Sequence, residues 1–344
     1  MMHANMNEEE SPYPLRAQSD AFESPIAKGL ERLVDFEPQA GVKGQRYVRL
    51  DISWAEFFYR MEDIGNCLIC STNGWARFHR HQLFSGWKRI PGENIWIQPE
   101  TGTELHTDQI GSIIVVEQDS GDEMMLSIQL IHKNGHGHIK IVLSCESSLA
   151  AYYDLVRSRA VSGELPDTVK SCCKDKPVEV PSLSTMQALW SGACHSMPSE
   201  TYPGCGSLAR LAVLKRLDPT FVEPMSDSCL EPLIEQWIKY QCAVQLTLFH
   251  PDHQIHETVL PTEQCSCRSY WHFYGRQWQC HLPKSADLKF MLVHPKCDAD
   301  GESWIEIYHE PTRRFLAWIR PDSDPIDRMH WKKSIKSVQS KLNL

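Results

Sequence analysis

The chain has 344 residues, of which 42% are hydrophobic and 23% charged, and its formal net charge is −9. This is an ordinary globular composition, and the length suits two domains better than one. The charge argues against a nucleic-acid-binding surface, which needs clustered Lys and Arg. No stretch approaches the roughly 20 consecutive apolar residues of a membrane helix, so no membrane partner is expected.

The opening MMHANMNEEESPYP is acidic and polar, without the basic and apolar regions of a secretory signal, so the expected address is cytoplasmic. Residues 1–45 read as an extension with at most one short helix near Ile26 to Val34. Ser53 to Ile64 carries Trp54, Phe57, Phe58, Met61 and Ile64 at helical spacing. A meander of strands follows, with alternation at Ile95-Trp96-Ile97, Ser112 to Val116, Leu126 to Leu130 and Ile139 to Leu143. Pro91-Gly92, Gly121-Asp122 and Asn134-Gly135 mark turns between them. Ser147 to Ala160 closes the unit as a helix.

A linker with Pro166, Pro177 and Pro181 spans about Val161 to Thr185. After it come Cys194-His195 and a short helical run from Leu208 to Arg216. The helical spacing returns at Leu230 to Tyr240, with Leu233, Ile234, Trp237 and Ile238. A second meander follows, and Pro325 to Leu342 forms the closing helix. The basic run from Lys332 to Lys341 reads as a solvated helix face. The 13 Cys are an odd number in a chain without a signal, so they are expected to be mostly reduced thiols.

The second meander repeats the first. Shifted by 177 positions, Cys67-Leu68-Ile69-Cys70 falls on Val244-Gln245-Leu246-Thr247, and Ser127 to His132 falls on Trp304 to His309. His138 to Ile141 then falls on Phe315 to Trp318. Between these blocks, Pro99 is matched with Pro283 and Leu105 with Leu288 by allowing a small loop shift. One offset recurring at both ends of a long stretch indicates a duplication. The expected organisation is an extension (1–45), a first repeat (46–160), a linker with a helical segment (161–224) and a second repeat (225–344). The class is α+β, with large antiparallel sheets and flanking helices.

The order of a helix, Gly65 to Cys70, Trp75-Ala76-Arg77-Phe78-His79, Ile97-Gln98-Pro99 with Glu104-Leu105-His106, and Ser127 to Leu130 before a closing helix resembles the cytoplasmic haem-utilisation proteins of the HemS/ChuS/HmuS type. The second half resembles them through the Pro283 strand, Leu288-Lys289-Phe290, Ile305 to Tyr308 and the helix containing Trp331. The resemblance covers most of residues 50–160 and 225–340. It implies two sheets stacked saddle-like and haem bound on the C-terminal half. The iron would be ligated by a His from the helical segment between the halves, and basic side chains would neutralise the propionates. It also implies a haem carrier, with a protein that delivers or accepts haem, or a haem-degrading factor.

The chain departs from that pattern at one place. Leu208 stands where the ligating His is expected, and leucine cannot ligate iron. His195 is the nearest replacement, with Cys194 and Cys205 as softer alternatives. Lys296 and Arg320 are the candidate cations for propionates, and His106 falls near the family's haem-facing Arg. The competing reading of each is a solvated loop or strand residue. His79 with His256, and His132 with His309, occupy equivalent repeat positions and read as inherited sheet-surface residues. Cys265, Cys267, His272, Cys280 and His281 have residue types that suit zinc, but C-x-C is tighter than the usual spacing, so no metal beyond haem iron is expected. No G-x-G-x-x-G, P-loop or G-x-S-x-G motif is present. The leading expectation is therefore a haem-binding protein of haem and iron utilisation. The alternative is an interaction or regulatory module that keeps the fold without haem, with Trp271, Trp278, Trp304 and Trp318 available to a partner.

Overall fold

The computed structural model describes residues 45–119, 124–133, 137–161, 207–250, 253–267, 269–294, 303–311 and 314–341. The first half runs β1 (Gln45–Leu50), α1 (Trp54–Ile64), β2 (Gly65–Thr72), β3 (Arg77–Leu83), β4 (Lys88–Arg89), β5 (Ile95–Gln98), β6 (Thr103–His106), β7 (Ile110–Asp119), β8 (Met124–His132), β9 (Gly137–Ser147), α2 (Leu149–Arg159) and β10 (Ala160–Val161). Next comes α3 (Ser207–Leu214). The second half repeats the order with β11 (Val222–Met225), α4 (Leu230–Tyr240), β12 (Val244–His250), β13 (His253–Val259), β14 (Glu263–Ser266), β15 (Tyr270–Tyr274), β16 (Trp278–Pro283), β17 (Leu288–Val293), β18 (Trp304–His309), β19 (Arg314–Pro321) and α5 (Pro325–Lys341).

Local sequence explains the helices. Ser53 caps α1 by accepting the Glu56 N–H, and Gly65 at φ 87° ends it where a side chain would be strained. Phe57, Phe58, Met61 and Ile64 make one buried stripe. In the second half Leu230, Leu233, Ile234 and Trp237 do the same, and Trp237 stacks on Trp331 of α5 at 5.3 Å.

The strands form two sheets. Ten strands follow the order β10-β1-β7-β8-β9-β2-β3-β16-β15-β14, and nine follow β11-β17-β18-β19-β12-β13-β6-β5-β4. Each sheet therefore contains strands from both halves. The β4–β6 arm of the first half extends the second half's sheet, and the β14–β16 arm extends the first half's sheet. Hydrogen-bond ladders are shared, yet the cores stay largely separate. One core draws only on residues from Val48 to Val156, with Leu105 and Trp96 of the first arm closing over α1. The other is built mainly from the second half, with Trp271, Phe273, Cys280 and Leu282 of its own arm.

The pairing keeps the 177-residue offset through the arms. Glu104 lies opposite Gln254 and His281 opposite Arg77, in the equivalent β6–β13 and β16–β3 ladders. Two sequence matches are corrected by this. Leu105 is on β6 and Leu288 on β17, and Pro99 follows β5 whereas Pro283 ends β16. The turns between the arm strands differ in length, so the offset is not constant between these strands. Trp96, opposite Leu105, corresponds instead to Trp271, opposite Leu282.

The halves also clasp each other through equivalent turns. Trp75, in the β2–β3 turn, lies on His309 with ring centres 3.7 Å apart, and His250 at the β12–β13 turn meets His132 at 6.0 Å. At the centre Arg80 of β3 pairs with Glu257 of β13. These two positions are themselves 177 residues apart, so the pair sits where the two repeats face each other. Burial raises the Glu257 carboxyl, and the Arg80 guanidinium opposes that shift.

Candidate functional site

Alternation along β18 sets up the site. Ile305 and Ile307 enter the helix-covered core, while Trp304, Glu306 and Tyr308 face the opposite, outer side of the nine-stranded sheet. Here α3 docks. Leu211 and Leu214 pack with Met291, Val293 and Tyr308, and Trp304 and Phe315 lie against this cluster.

A buried carboxylate in an apolar setting needs partners, and Glu306 has three. Arg210 of α3 donates to it through Nε (2.8 Å) and Nη2 (2.5 Å), Trp304 through its indole N–H (2.7 Å), and Tyr308 through its hydroxyl. Burial alone would raise its pKa. The Arg210 guanidinium and the three donors outweigh burial and hold Glu306 below the ordinary carboxylate range. The fork-shaped pair fixes α3 on the sheet.

Beyond α3 the same face is aromatic. Phe249 stacks on Phe315 at 4.4 Å, Tyr308 lies 5.1 Å from Phe315, and Trp318 lies 6.4 Å from Phe249 and 6.5 Å from Trp304. Arg320 sits over the Trp318 ring at 4.7 Å. Its Nε donates to Gln245, whose amide donates to Asp322 at 2.8 Å. Thr247 bonds His256 Nδ1 at 2.7 Å. Burial, then the nearby Arg320 charge, lower the His256 pKa to about 4, so its imidazole is neutral at neutral pH. Gly102 of the first arm packs here too: a Cβ on it would stand 3.4 Å from the His256 ring.

The sequence-predicted residues fall as follows. Arg320 is on the aromatic face. His106 ends β6 on the same face, with Nε2 3.5 Å from Glu104. The register puts the Glu104–Gln254 pair four residues along β13 from Thr258, which faces Arg320 across Gln245. That is roughly 13 Å along the strand, with three strand spacings to cross as well. Arg320 and His106 therefore do not meet. Leu208 belongs to α3, whose sequence SLARLAVL contains no side chain that ligates iron. His195, Cys194, Cys205 and Lys296 lie outside the described residues. Trp271 and Trp318 are buried, and Trp278 and Trp304 half-buried.

Sequence reasoning missed Arg210, Glu306 and the oriented His256. The available signal was a carboxylate on an alternating strand between Trp304 and Tyr308. A charge in that setting demands a cation from elsewhere in the fold.

Two tandem α+β units with exchanged arms, helix-covered inner faces and one helix on an outer face define the class: a duplicated fold of large antiparallel sheets. The particular fold is that of the HemS/ChuS type. The chain superposes on ChuS of E. coli, described as a haem oxygenase, with a TM-score of 0.70 and 12% identity over 85% of this chain and 88% of that one. It superposes on haem-loaded PhuS, a haem-binding protein of Pseudomonas aeruginosa, with a TM-score of 0.72 and 14% identity over 85% and 86% of the two chains. No protein-family model and no curated protein matches the sequence. Among the described residues no helix is long and apolar enough to cross a membrane.

Proposed function

We propose that this protein binds haem on the outer face of the nine-stranded sheet and serves haem and iron utilisation in the cytoplasm, as a carrier or in haem breakdown. The observation that carries this reading is the half-buried, stacked pair Phe249 and Phe315, backed by the buried Trp318 with Arg320 over its ring, on a fold shared with ChuS and PhuS. A porphyrin needs an apolar face and a cation for its carboxylates, and its iron needs an axial donor. This pair and Arg320 fit the first two needs. For the third, α3 supplies no donor, so His195 is the ligand in this proposal. Any breakdown would be chemistry of the haem iron with reductant and oxygen, and the protein would supply ligation and orientation.

A second reading has its own observation. The Arg210–Glu306 pair holds α3 against the sheet, as expected of a module that keeps the fold and has lost haem. A hemin titration followed at the Soret band separates the two. The haem reading expects saturation near one equivalent, weakened at least tenfold by His195→Ala. No saturable shift supports the second reading.

A further inference from the structure

The outer face of the ten-stranded sheet carries a cluster unrelated to the aromatic face of the other sheet. Along β15 and β16 the inward side chains Trp271, Phe273, Cys280 and Leu282 belong to the core. Alternation therefore turns His272 and His281 outward. Pairing places Cys265 of β14 opposite His272, and His272 opposite His281, in one row across three strands. Cys267 lies two residues beyond Cys265, on the same face. Its Sγ is 3.3 Å from His272 Nε2, and His272 Nδ1 is 2.6 Å from His281 Nδ1. A thiol, an imidazole within its reach, and a third group holding the far nitrogen of that imidazole make the arrangement of an activated nucleophile.

Burial sets where a proton can rest in this chain of groups. Burial, then His79, His272 and Arg77, lower the His281 pKa to about 3, so its ring is neutral and keeps one nitrogen lone pair. His79, at 5.1 Å from His281, is held at about 4 by burial first and the Arg77 charge second. A positive charge therefore rests on His272, the imidazole beside the thiol. Once protonated, His272 needs an acceptor for its Nδ1–H, and His281 Nδ1 stands within hydrogen-bond distance. The other described thiols are placed differently. Burial pushes Cys70 and Cys242 up to about 12 and raises Cys67, Cys229 and Cys280 as well. Cys145, Cys265 and Cys267 are exposed, but Cys265 bonds the Tyr274 hydroxyl at 3.6 Å, and among the described residues only Cys267 of the three bonds an imidazole.

We propose that Cys267 is a nucleophilic thiol that exchanges with low-molecular-weight disulfides, with His272 as its base and His281 as the positioning residue. β14 is the outermost strand of its sheet, and Cys267 is exposed just past its end. Exchange needs only an in-line approach to one sulfur, which an open sheet edge allows. His272 Nε2 takes the thiol proton. The sulfur electron pair attacks one sulfur of the small disulfide RS–SR, so the Cys267–S–SR bond forms as the S–S bond of RS–SR breaks. The leaving RS⁻ takes the proton back from His272 and departs as RSH. Cys267 is oxidised and the departing sulfur is reduced, so the disulfide is the only oxidant required.

The test is the rate of mixed-disulfide formation on the full, reduced chain, with oxidised glutathione as the probe and each adduct located by peptide mass spectrometry. Cys265→Ser and Cys267→Ser chains report the two neighbouring thiols one at a time, and Cys145 is the exposed reference in both. Cys267 should react about tenfold faster than Cys145 or more, and Cys265 at about the rate of Cys145. His272→Ala should remove that advantage, a loss of about tenfold. His281→Leu should slow Cys267 about fivefold, and His281→Gln, which restores an acceptor for His272, should recover most of that loss. Circular dichroism confirms that each variant is folded, and the ranking of Cys267 against Cys265 and Cys145 decides the matter if a His variant is not. The proposal is overturned if Cys267 reacts no faster than the other two, or if His272→Ala leaves its rate unchanged. A His281→Gln chain as slow as His281→Leu would overturn the positioning role.

Discussion

The two outer sheet faces descend from one ancestral face and now do different things. His79 and His256 occupy the same repeat position, 177 residues apart. Opposite His256 stands Thr247, which orients it; opposite His79 stands Cys70, and the ring is left without a hydrogen bond. Gln129 and Glu306 are likewise equivalent. Glu306 anchors a helix through Arg210, whereas Gln129 is buried and neutral, with its carbonyl oxygen unpartnered. The inner faces keep one role, because each covers a helix pair. Duplication thus freed the outer faces to acquire separate chemistry while the cores kept the fold.

The sharpest way to break this comparison is Glu306→Ala. It strands Arg210 in the interior and should cost about 3–5 kcal/mol, read by urea denaturation. Gln129→Ala should cost about 1 kcal/mol or less, because one of its polar atoms is already unpartnered. Equal costs would mean that the faces have not diverged. Because Glu306 is held below the ordinary carboxylate value, its pairing contributes fully above about pH 4.5. That contribution is lost as the pH falls below it.

A smaller effect tests the centre. Glu257→Ala should cost about 2 kcal/mol, less than Glu306 because Arg80 is partly solvated. Since the two positions are equivalent, the exchange Arg80→Glu with Glu257→Arg should recover more than half of that loss. An additive double loss would contradict the symmetric placement.

His256 gives a pH signature. It stays neutral down to about pH 4 in the fold but takes a proton near pH 6.5 when unfolded. The unfolded chain therefore binds more protons in that window, and stability falls as the pH drops through it. Arg320, Glu104 and Asp322 are the charges that face it. His256→Gln should flatten that part of the pH–stability curve. An unchanged slope would mean that the ring is solvated. The smallest effect is at the cap: Ser53→Ala should cost about 1 kcal/mol and leave both outer faces unchanged.

Much of the fold was legible because it is local. The apolar spacing of Phe57, Phe58, Met61 and Ile64 marks α1, and Leu230 to Tyr240 is α4 at both ends. The arm exchange was not legible, because Ile95-Trp96-Ile97 alternates in the same way whichever sheet it joins. β1 escaped notice because Gln45–Leu50 carries polar residues between its apolar ones. At the proposed site, Arg320 was singled out through family resemblance. Arg210 was not, because its meaning comes from Glu306, 96 residues away.

The central claim, that the nine-stranded outer face is the haem face, is most directly tested by hydrogen exchange with and without one equivalent of hemin. The account predicts new protection in α3, β12, β18 and β19, with β2, β8 and β9 unchanged. Protection on the first half's strands instead, or none anywhere, would contradict it.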